Sequence, residues 1–126
     1  MTNNSSSSAA PRVGIAPDSW GVWNAVDDLQ PGPDQYLREV AEAGFTWTEI
    51  GPYGYLGTDH QQVADDIASH GLKVSGGTVF TGMHRGISEL DQAWSEISKV
   101  AALVQSLGAE HLITIPEMWQ RHSVTG

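Results

Sequence analysis

The sequence predicts an α/β fold built on a parallel sheet, and three observations carry that reading. An amphipathic helical pattern, a glycine and a short apolar run recur three times, with the glycines at Gly44, Gly71 and Gly108. A fourth apolar run precedes the first helix. The segments after the apolar runs are long and rich in Trp, Tyr, Gly and His, whereas those at the opposite ends are as short as a single glycine.

Taken in chain order, residues 1–11 are Ser/Asn/Ala-rich, bury nothing and read as a disordered tail, leaving 12–126 as the domain. The first strand is expected over 13–16. The first helix is expected over 33–43, with Gly32 and Pro33 as N-cap and first helical residue and with Leu37, Val40 and Ala41 as its apolar face. A strand over 45–50 follows Gly44. The second helix is expected from Thr58, where Thr58-Asp59-His60-Gln61 matches a capping box, and its stripe is Val63, Ala64, Ile67 and Ala68. The third strand is expected over 72–76. The third helix starts near Ser88, and Leu90, Ala93, Trp94, Ile97, Val100, Ala101, Val104 and Leu107 hold helical spacing up to Gly108. The fourth strand is expected over 111–115. Each stop glycine supplies the left-handed residue that turns a helix into the next strand. The order β-α-β-α-β-α-β implies parallel strands joined by right-handed crossovers.

The first strand exits through Ala16-Pro17-Asp18-Ser19-Trp20-Gly21, without a G-x-G-x-x-G, which disfavours a dinucleotide fold. Long loops at one end and short ones at the other are the asymmetry of a (β/α)8 TIM barrel, whose sites stand on the strand C-termini. Four strands are half of eight, so the expectation is the N-terminal half of such a barrel. A complete flavodoxin-like domain needs a fifth strand and an anion-binding loop after the first, and neither is visible.

Composition narrows the function classes. The 126 residues carry 6 Lys+Arg against 15 Asp+Glu, a formal charge of −9. Nucleic-acid backbones and anionic membrane surfaces are therefore poor partners. With no Cys, disulfides, thiol nucleophiles and thiolate zinc sites are excluded. No apolar run approaches the roughly 20 residues of a membrane span, and the first residues carry no secretory signal. A cytoplasmic protein is the expectation.

Candidate site residues stand after the strands. Trp20 and Trp23 offer flat apolar surface for a sugar or cyclitol ring, or else pack as core. Glu49 ends an otherwise apolar strand, where a partly desolvated carboxylate acts as a base or binds hydroxyls. Gly76 and Gly77 allow a close backbone approach, and His84 in the next loop offers a hydrogen bond. Glu117 and His122 follow the fourth strand, while Tyr53 and Tyr55 read as loop packing. His60 and His70 fall on the second helix and His111 at the opposite end of the barrel. Asp27-Asp28 and Asp65-Asp66 read as solvated surface. No catalytic residue and no metal ligand is assigned within the chain.

Ala16-Pro-Asp-Ser-Trp-Gly21, Thr48-Glu-Ile-Gly-Pro-Tyr-Gly-Tyr-Leu56 and Gly71-Leu-Lys-Val-Ser-Gly-Gly77 resemble the xylose isomerase-like TIM barrels, the sugar phosphate isomerase/epimerase proteins. The nearest likeness is to the inosose dehydratase-like subgroup, over residues 12–117. The resemblance implies a divalent metal (Mn, Co, Mg or Zn) that polarises a carbonyl of a sugar or cyclitol while a carboxylate moves the neighbouring proton. It places the metal ligands on later strands, outside this chain, and makes Trp20, Glu49 and His84 substrate contacts. The apurinic endonucleases share the barrel, but a charge of −9 argues against DNA. The expectation is thus part of a sugar or cyclitol isomerase, epimerase or dehydratase, inactive alone. The alternative is a non-catalytic half-barrel that pairs with itself or with another half.

Overall fold

In the computed structural model, residues 10–117 are described. Most of the tail expected over 1–11, and His122, lie outside the described residues; Ala10 and Pro11 are exposed and take no regular structure. The elements are β1 (Gly14–Ile15), α1 (Pro33–Glu42), β2 (Trp47–Glu49), α2 (His60–Ser69), β3 (Lys73–Thr81), α3 (Leu90–Ser106) and β4 (His111–Pro116). All strand pairs are parallel and the sheet order is β1-β2-β3-β4, without the reversal of a doubly wound sheet.

All three helices end by the same local chemistry. Phe45, Leu72 and Ala109 donate their N–H to Val40, Ile67 and Val104 at 3.2, 3.2 and 2.9 Å. The preceding Gly44, Gly71 and Gly108 have φ of 93, 72 and 77° and bond to Ala41, Ala68 and Gln105. These are Schellman ends, in which the left-handed residue lets two late carbonyls be satisfied while the chain turns into a strand.

Five elements have boundaries that differ from the sequence expectation as follows. Helix α2 starts one residue later than the Thr58 capping box implies, because Asp59 is the N-cap and its Oδ1 accepts from the Gln62 N–H at 2.9 Å. A carboxylate there also suits the positive end of the helix dipole. Helix α3 starts at Leu90, since Ser88 lies in a separate 3-10 turn, Ile87–Glu89. Strands β1 and β2 are shorter than expected. Strand β3 does not end at Gly76 but runs to Thr81, because β4 begins opposite Gly76 and pairs with it as far as Thr81.

The helices bury their stripes against one face of the sheet. Leu37 and Val40 of α1, Val63 and Ile67 of α2 and Val100, Leu103 and Val104 of α3 form one cluster with Ile50, Val74 and Val79. Gly77 faces α3 so closely that a Cβ would stand 2.7 Å from Val104 Cγ1 and 3.0 Å from Val100 Cγ1. Under α1, the buried Tyr36 hydroxyl meets Thr48 Oγ1 at 2.6 Å, and Thr48 in turn donates to the Glu49 carbonyl at 2.8 Å. Burial is the main reason both Tyr36 and Tyr55 are pushed up to about 12. No helix among the described residues is long and apolar enough to cross a membrane.

Two outcomes follow from this packing. Gly77→Ala overfills the α3–sheet contact and is expected to cost about 1–3 kcal/mol, read as a lower urea midpoint; an unchanged midpoint would show that the contact has slack. Tyr36 and Tyr55 ionise near 10 in the unfolded chain and about 12 in the folded one, so their stabilisation is complete below pH 10 and is lost between pH 10 and 12. The urea midpoint should fall across that window, and less steeply in Tyr36→Phe. Equal slopes in the two proteins would remove Tyr36 as a cause.

Candidate functional site

Strand parity decides which side chains reach the helix-free face. Thr48 and Ile50 point to the helices, so Glu49 points away from them. In register, Glu49 pairs with Gly76, which puts Thr78 and Phe80 on the same helix-free side and aligns them with Ile113 and Ile115 of β4. The pairing shifts between Thr48 and Glu49, so that Ser75 has no opposite residue in β2. A bulge of this kind increases local twist. The face is concave: a cavity of about 570 Å³ is lined by Gly14, Trp47, Glu49, Ser75 and His111, which come from all four strands.

A second cavity, of about 360 Å³, lies at the strand C-termini. Its walls are mostly apolar, with Val22, Trp23, Pro52, Phe80, Ile113 and Ile115, and Asp18, Glu49 and Thr78 supply polar side chains. Thr78 Oγ1 donates to Glu49 Oε2 at 3.0 Å, which fixes the carboxylate and leaves Oε1 for a ligand. Trp23 is 68% exposed and sits on a loop that its own side chains stiffen. Gln30 Oε1 accepts from the N–H of Trp23 and Asn24 at 3.1 and 3.2 Å. Asp27 is exposed, as expected, and its carboxylate also accepts from the Leu29 N–H at 2.9 Å and the Asn24 amide at 3.0 Å.

Of the three residues expected to touch substrate, Glu49 lines this cavity. Trp20 is turned to the helices: it lies edge-on to Tyr36 and Phe45, at centroid distances of 5.9 and 6.4 Å, and its Nε1 donates to Glu39 Oε2 at 2.8 Å. Together with Gln35, which bonds the other oxygen at 2.9 Å, it holds the Glu39 carboxyl below its ordinary range, Gln35 contributing more. The core alternative thus describes Trp20, and Trp23 is the tryptophan at the cavity. His84 is exposed in a 3-10 turn, Met83–Arg85, over an adjoining depression of about 280 Å³ that shares Ile115 with the 360 Å³ cavity. Glu117 extends β4, with its N–H on the Thr81 carbonyl at 2.8 Å and its carboxylate 3.5 Å from Arg85. Tyr55 is packing, as expected, with its hydroxyl on the Pro31 carbonyl at 2.7 Å. Tyr53 packs against the core beneath Lys99.

Asp18 and Thr78 were not singled out in the sequence. Thr78 was signalled by parity two residues beyond the glycine opposite Glu49, but an expected strand end at Gly76 hid it. Asp18 was signalled only by its place just after the first strand.

Comparison of the chain with family models, with curated proteins and with solved structures gives no match. Among the described residues, no three His, Asp or Glu side chains gather where they could hold one metal ion. The cavity supplies two carboxylates, Asp18 and Glu49, and the Thr78 hydroxyl, a partial set of oxygen donors that a divalent cation would have to complete from outside residues 10–117.

The two tryptophans should separate cleanly. Trp20→Ala is expected to cost about 2–4 kcal/mol of folding stability, and Trp23→Ala within about 0.5 kcal/mol of none, both by urea denaturation. Equal losses would mean that Trp23 is part of the core.

Proposed function

We propose that residues 12–117 are the first half of a (β/α)8 barrel of the xylose isomerase-like kind. In this reading the concave face is the substrate wall of a metal-dependent sugar or cyclitol isomerase, epimerase or dehydratase. The observation that carries it is the union of two features on one sheet. The strand order is sequential with every helix on one side, and the opposite, concave side brings a fixed carboxylate and an exposed indole to the strand C-termini. A half of a βα barrel has this layout, and a doubly wound sheet covers both faces instead.

The chemistry of the cavity suits a polyol ring. Such a ring has an apolar C–H face for Trp23 and hydroxyls for Glu49 Oε1 and Asp18. Thr78 keeps the Glu49 carboxylate in place, so ordering that side chain does not have to be offset by the ligand. The metal that would polarise a carbonyl needs donors outside residues 10–117. These residues alone bind and orient substrate, and turnover belongs to a complete barrel.

Binding is therefore the activity to measure. Titration calorimetry of the 126-residue chain with a ketose or an inosose should show saturable binding. Glu49→Gln should weaken it about tenfold, since a hydrogen bond to a charged group contributes about 1.5–3 kcal/mol. No saturable heat with either ligand, or an equal affinity in Glu49→Gln, would rule out this use of the cavity.

A further inference from the structure

We propose that the helix-free face is covered by a second copy of this chain, with β4 of each copy lying beside β1 of the other around a two-fold axis parallel to the strands. The inference rests on the half-barrel geometry above and not on its sugar chemistry.

Three observations select a second copy as the occupant. Among the described residues the sheet runs from β1 to β4, and both of its outer edges belong to parallel strands. A two-fold axis along the strand direction keeps all eight strands parallel and pairs both edges of both copies at once, so that no edge is left open. The face is also apolar where it is most open: Phe80 is 58% and Ile113 38% exposed, and Thr78–Ile113 and Phe80–Ile115 are neighbours in register. Burying these side chains against their symmetry mates removes a patch that water disfavours.

Charge supplies the third observation. Arg12 lies just before β1 and Glu110 just before β4, so both stand on the rim at the strand N-termini. Parallel pairing brings Arg12 of each copy to the same seam as Glu110 of the other. Two opposite-charge meetings result, in a chain whose formal charge of −9 makes unselective self-contact repulsive. On the other rim the Glu117 carboxylate is already matched by Arg85 at 3.5 Å.

Sedimentation equilibrium of the full 126-residue chain tests this. The expected mass is twice 13.5 kDa. Ile113→Lys should weaken the dimer at least about a hundredfold, because it buries an unpaired charge. Arg12→Glu and Glu110→Arg should each weaken it about tenfold, and the double variant should recover most of that loss; circular dichroism checks that every variant is folded. A mass of 13.5 kDa at all concentrations, a heterogeneous aggregate, a dimer unmoved by Ile113→Lys, or a double variant no better than the single ones would overturn the proposal. So would a monomer whose face closes only when further residues are appended, which would assign the face to those residues. Mass and ligand heat are separate readouts, so a dimer without sugar binding would sink the functional reading and leave this inference standing.

Discussion

A parallel sheet whose strands are added in sequence, each through a right-handed crossover, places every connecting helix on the same side. That chirality is the constraint on which the rest of this structure depends. With the order β1-β2-β3-β4, helices α1, α2 and α3 share one core, and among the described residues the opposite face has no helix. A doubly wound sheet escapes this by reversing direction partway, and the described strands do not reverse. On that face a cavity is lined from all four strands.

Local chemistry feeds the same geometry. Three Schellman ends make each return from helix to strand as short as a turn can be, so no chain is left at that rim for a site. The length is spent at the other rim, where the β1–α1 loop is stiffened by Asp27 and Gln30 and holds Trp23 beside the Glu49 carboxylate. Site and scaffold are thus divided between the two ends of the strands. Parity along β2 and β3 then decides which residues serve each: Thr48 and Gly77 the core, Glu49 and Thr78 the cavity.

Much of the scaffold was legible because it is written in short-range terms. Helical spacing, a glycine at each helix end and an apolar run after it are all local, and the helices and strands stand where those signals put them to within a few residues. The site was legible only in part. Glu49 could be found because a carboxylate at the end of an apolar strand is conspicuous. Which tryptophan packs and which faces the cavity could not, because it is settled by Glu39, 19 residues away on α1, taking the Trp20 indole N–H. Thr78 was hidden because glycines weaken a strand on their own. Here Gly76 and Gly77 are in mid-strand because β4 and α3 press against them, and neither neighbour is visible locally.

The central claim is that the concave face belongs to the inside of a closed barrel, and amide hydrogen exchange along β4 in the purified chain tests it most directly. An edge strand protects only alternate amides, those turned to its one neighbour, whereas a strand paired on both sides protects them all. If the barrel is closed, every amide from His111 to Ile115 exchanges slowly. Slow exchange at alternate positions only would mean that β4 is a free edge and the sheet an open one.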